Sequence, residues 1–149
     1  GRAKAASVIA AFALARRGLD RGGGLAPTIH GPRDVVALIS DIRDRKKEHF
    51  LALFLNARNQ VITREDVSVG SLNASLVHPR EVFAPAVGSA AASVVLAHNH
   101  PSGDVTPSRQ DIELTRRLAQ AGEIMGIEVV DHVILAADQF TSFKEAGLL

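Results

Sequence analysis

The stretch from Ser93 to Ala121 constrains the fold of this chain more than any other. Ser93, Val94, Val95, Leu96 and Ala97 form a short apolar run rich in β-branched residues and bounded by turn formers, which reads as a buried strand. His98 and His100 stand at its exit, and side chains two apart on a strand share a face. Pro101, Gly103 and Pro107 then impose a loop. From Ser108 onward Ile112, Leu114, Thr115, Leu118 and Ala121 recur roughly at helical spacing, so the loop leads into a helix. A strand, a tight loop and a helix in this order bring Asp111, in the first helical turn, back toward the two histidines.

Two neutral imidazoles and one carboxylate form a ligand set for a borderline divalent metal, zinc before others, and leave one coordination position open. An open position marks a catalytic site, because such a metal lowers the pKa of bound water to about 7. The expected chemistry is hydrolysis. Ser108 and Asp111 also fit a capping box, with the serine oxygen accepting from the N–H three residues on and the carboxylate bonding back. A carboxylate has two oxygens, so capping and ligation are compatible.

The spacing of His98, His100, Ser108 and Asp111 resembles the H-x-H-x7-S-x2-D signature of the JAMM, or MPN, metalloproteases. The fuller string from His98 to Ile112, with Val77 to Phe83 before it and Asp131 to Leu135 after it, is similar to the RadC branch of that superfamily, long labelled a DNA-repair group. The resemblance covers roughly residues 30 to 149. It implies an α/β fold, a mixed β-sheet flanked by helices around a JAMM/MPN, cytidine deaminase-like core. It also implies zinc-dependent hydrolysis of amide or isopeptide bonds in a peptide or protein. The family's general base lies well upstream of the histidines, and the matching position is Glu48. That residue also continues the charged run Arg45, Lys46, Lys47, which fits a plain solvated surface. Glu81 is the competing carboxylate, within a predicted helix. By the same resemblance Ser108 donates to the oxyanion. Asp131 and His132 read either as a pair orienting a metal ligand or as strand residues satisfied locally. His49 and His78 read as structural, and His30 carries no signal.

Hydrophobic residues make up 46% and charged residues 22% of the 149, the balance of a globular domain. With no cysteine there is neither a disulfide framework nor a thiolate metal site, so His, Asp and Glu are the only strong ligands. No apolar run approaches the ~20 residues of a membrane span and no signal peptide is visible, so the expected location is cytoplasmic. A net charge of +1 and the absence of Trp and Tyr give no support to nucleic-acid binding. Such binding, or a metal-dependent nuclease, stays the second reading through the RadC label. A catalytically silent scaffold is the third.

Alanine-rich residues 1–20 are good helix material and look like the last helix of a helix-hairpin-helix module, here truncated, with Arg2, Lys4, Arg16 and Arg17 as possible phosphate contacts or a solvated face. Residues 21–32, with Gly22, Gly23 and Gly24, read as a linker, and 33–149 as the hydrolase domain. Within it the patterns predict a helix over 33–46, strands over 48–56 and 60–69 joined as a hairpin, and a helix from His78 that Pro85 distorts. After the strand at 93–98 they predict a helix from Ser108 to near Gly126, a strand over 127–135 and a short edge strand over 140–143. Alternation of helices and strands gives an α/β layer arrangement.

Overall fold

In the computed structural model, residues 26–70 and 77–149 are described. The apolar segments predicted as strands pair into one mixed sheet: β1 (His49–Leu55), β2 (Val61–Val69), β3 (Ser93–Asn99), β4 (Glu128–Ala136) and β5 (Gln139–Ser142), in the order β2-β1-β3-β4-β5. Only the β3–β4 pairing is parallel. The hairpin between β1 and β2 turns where Asn56 to Asn59 predicts it. The Asn56 side-chain oxygen accepts from the N–H groups of Arg58 and Gln60, and Asn59 takes a left-handed conformation that asparagine tolerates.

Alternation along the central strands sends side chains into two separate cores. On one face Phe50, Ala52, Phe54, Val94 and Leu96 pack against α2 (Pro79–Gly88) and α3 (Arg109–Met125) through Val82, Phe83, Leu114 and Leu118; α1 (Pro32–Leu38) covers the other face, with Val35 packing on Leu51, Leu53, Val95 and Val133. Each such buried Leu, Val or Phe contributes about 1.5–3 kcal/mol. The α/β expectation holds, with helices on both sides of a mixed sheet.

Two local expectations need correction. The helix predicted over 33–46 ends at Leu38, and a single 3-10 turn (Ser40–Ile42) follows. Ile39 and Ile42 are both buried, and a spacing of three brings two side chains to one face of a 3-10 turn as readily as of an α-helix. Arg64 on β2 grips Asp41 in that turn through two bonds of 2.6 and 2.8 Å. Pro85 lies inside α2, which starts after His78 as predicted and runs on to Gly88. Part of the expected linker belongs to the packed unit, since Thr28 bridges Gln60 and Ile29 is buried. The expected helix over 1–20 lies outside the described residues.

The helix from Ser108 ends as predicted, at Gly126 in the left-handed conformation. Close by, Gly122 packs so tightly that an added Cβ would lie 2.4 Å from the Ile127 carbonyl oxygen and 3.1 Å from the Phe83 ring. Backbone cannot yield as a side-chain tip can. Gly122→Ala is therefore expected to destabilise the fold by about 1–3 kcal/mol, despite alanine's better helix propensity, as read by urea unfolding.

Candidate metal centre

Strand β3 carries His98 at its penultimate position, wholly buried, and the chain leaves the sheet at His100, which stays partly accessible. Ser108 caps α3 as the capping box predicts: its Oγ accepts from the Asp111 N–H at 3.1 Å, and its own N–H donates to Asp111 Oδ2 at 2.7 Å. This bond turns the Asp111 carboxylate back over the loop. Its Oδ1 lies 3.4 Å from His98 Nε2 and its Oδ2 3.4 Å from His100 Nε2, while the two Nε2 atoms are 2.9 Å apart. His98, His100 and Asp111 thus offer three ligand atoms within 4.8 Å of one another, a group that could hold a metal ion.

The hydrogen-bond chain behind His98 fixes which nitrogen faces that point. The Asp111 main-chain carbonyl can only accept, so the Thr115 hydroxyl 2.6 Å away gives its single hydrogen to it. The Thr115 oxygen must then accept from His132 Nδ1, also at 2.6 Å. That leaves a lone pair on His132 Nε2, which accepts from His98 Nδ1 at 2.8 Å and leaves His98 Nε2 without a hydrogen. On the other side His100 Nδ1 donates to the Asp104 carbonyl at 2.7 Å, so its Nε2 also carries a lone pair. With both rings neutral, two lone pairs and a carboxylate face one another with no hydrogen between them, and only a proton added to a ring would give Asp111 a hydrogen to accept. The donor set therefore fits a divalent cation, and the bonds behind it are of the kind that fix imidazole ligands.

Electrostatics agree with neutral imidazoles behind the centre. Burial pushes the pKa of His98 below the ordinary value, with Asp111 only partly opposing it, and burial drives that of His132 well below. His100 is pushed the other way by its bond to Asp111, against some burial. For Asp111 burial works to raise the pKa, but its bonds to His100, His98 and Ser108 outweigh that and hold it below the usual carboxylate range. Two phenylalanines complete the wall: Phe50 stacks at 6.1 Å on His98 and meets His132 edge-on at 5.5 Å, and Phe143 stacks on His132 at 4.6 Å.

In front of the centre lies an open cleft of about 360 Å³, lined by Glu48, His100, Ser108 and Asp111 among others. Glu48 precedes β1, whose register sets Phe50 opposite His98, and its charge acts on both His98 and His100. The other candidates lie elsewhere. Glu81 is exposed on α2, 3.4 Å from Arg80. Asp131 does not join His132 at the centre, because adjacent strand residues point to opposite faces; it bonds Ser142, the Lys144 N–H and the His132 N–H instead. Among the described residues His30, His49 and His78 belong to no ligand group. Sequence reasoning missed Thr115, taken there for an apolar helix position, and Asn99. Their signals were a hydroxyl one turn after Asp111 and an amide inside an otherwise apolar strand.

A mixed α/β sheet, a candidate metal group at the end of a central strand and a capped helix start define a domain of the JAB, or JAMM, class. The chain belongs to the RadC-like JAB domain family, whose model matches residues 29–148. It is 53% identical over 150 residues to a UPF0758 protein of Desulforamulus reducens, covering 100% of this chain and 66% of the relative. A UPF0758 protein of Desulforudis audaxviator is 52% identical over 149 residues (99% and 65%), and one of Geobacillus thermodenitrificans 50% over 148 (99% and 66%). The chain thus spans just under two thirds of these relatives' length.

Proposed function

We propose that this domain is a zinc-dependent hydrolase of amide or isopeptide bonds in a peptide or protein substrate. The observation that carries the reading is the convergence of two imidazole lone pairs and the Asp111 carboxylate beside a cleft that also holds Glu48 and Ser108. His98, His100 and Asp111 would hold a divalent metal, which when bound would supply Lewis acidity and lower the pKa of water to about 7. Glu48 takes the proton of the attacking water and passes it to the leaving nitrogen. Ser108 Oγ accepts from the Asp111 N–H, which leaves its own hydrogen for the oxyanion. Thr115 and His132 keep His98 in the tautomer that presents Nε2. Imidazole and carboxylate ligands suit zinc, with iron and manganese as the competitors.

Elemental analysis of protein purified without chelator is expected to find about one divalent ion per chain, and none after His98→Ala plus His100→Ala. Absence of metal in the parent protein would defeat the reading. Cleavage of an isopeptide-linked fluorogenic panel, abolished by chelator and restored by zinc, tests the reaction itself. Proton and metal compete for His100 Nε2, whose pKa is raised above 6.5, so the proton wins at a higher pH than at an isolated imidazole. Metal affinity is expected to be full in mild alkali and to fall about tenfold per pH unit once the pH drops below that value, followed by competition with a fluorescent chelator.

A further inference from the structure

Asn99 sits between the two histidine ligands in sequence, yet strand alternation turns it to the opposite face of the sheet, where it is wholly buried. A buried amide is tolerated only when bonded, and here both ends are used on one target. Its Oδ1 accepts from the His49 N–H at 2.7 Å, and Nδ2 donates to the carbonyls of Arg45 and Lys47, each at 3.2 Å. These partners flank Glu48 on both sides. The Glu48 carbonyl itself accepts from the Gly70 N–H at 2.9 Å. Residues 43–48 belong to neither helix nor strand, and these bonds fasten the segment to β3.

We infer that Asn99 is a positioning residue that sets where Glu48 stands relative to the metal centre, tying the position of the proton carrier to the strand that bears the ligands. The inference rests on the proposed role of Glu48. Asn99 touches neither the cleft nor the ligand atoms, so its removal should leave ion binding intact while displacing the carboxylate.

Cobalt(II) loaded into the full chain provides the test, through the pH-dependent change in its visible absorption. A nearby negative charge opposes deprotonation at the centre, so Glu48→Gln is expected to lower the midpoint of that change by about one pH unit. Asn99→Leu, which keeps the size of the side chain but loses the acceptor for His49 and both donors without adding a charge, and Asn99→Ala are expected to bind one equivalent of cobalt and to move the midpoint in the same direction. Glu48→Gln combined with Asn99→Leu should move it no further than Glu48→Gln alone. Hydrogen exchange should quicken in residues 45–49 of both Asn99 variants while the interior of β1 stays protected. Wild-type midpoints in both Asn99 variants, or additive shifts in the double variant, would overturn the inference. Failure of the parent protein to take up cobalt would instead overturn the metal centre, and the inference with it.

Discussion

Replacing Glu48 by glutamine is expected to slow the proposed amide hydrolysis by about 10²–10⁴-fold while leaving the metal content of the parent protein unchanged. Glutamine keeps the size and the hydrogen-bonding reach of the side chain but cannot carry a proton between water and a leaving nitrogen. Because His98, His100 and Asp111 are untouched, the loss should fall on turnover. Steady-state kinetics and elemental analysis on the same preparation check this, with Glu81→Gln as the comparison. Glu81 is exposed, pairs with its neighbour Arg80, and is not among the residues lining the cleft, so its replacement should leave the rate close to that of the parent. An undiminished rate in Glu48→Gln, or a large loss in Glu81→Gln, would reverse the assignment of the base.

Phe50→Ala is expected to be the most destabilising of these substitutions, by about 3–5 kcal/mol in chemical unfolding. Phe50 is wholly buried within the core beneath α2 and α3, and its ring also walls in the imidazoles of His98 and His132. Truncation removes apolar contact area and leaves a void that the central strand β1, hydrogen-bonded on both sides, cannot close. The comparison belongs in metal-free protein, since an ion bound only by the folded state adds stability of its own. A loss below about 1 kcal/mol would show that the site collapses around the void, contrary to a rigid wall behind the ligands.

The sequence was most legible where one periodicity dominated. The unbroken apolar runs of β1 and β3, the capping box at Ser108 and the glycine at the end of α3 each have one economical solution, and the fold adopts it. The spacing of His98, His100 and Asp111 was readable because strand and helix geometry alone bring those atoms near one another. Legibility failed where tertiary partners decide. Arg64, 23 residues from Asp41, holds a 3-10 turn where the pattern suggested more helix. Asp131 and His132 are adjacent in sequence, but a strand's alternation separates them, and only His132 reaches a ligand. Nor does local patterning reveal that Asn99 reaches back 50 residues to His49.

The parallel pairing of β3 with β4 through α3 has one more consequence. His98, His100, Asp111, Thr115 and His132 all belong to that single crossover, whereas Glu48 arrives just ahead of the neighbouring hairpin. On the proposed function, capture of the ion and use of it are therefore separable inheritances of this architecture. Substitutions ahead of the hairpin are then expected to silence turnover and leave an ion-bearing scaffold, and damage to the crossover to remove both at once.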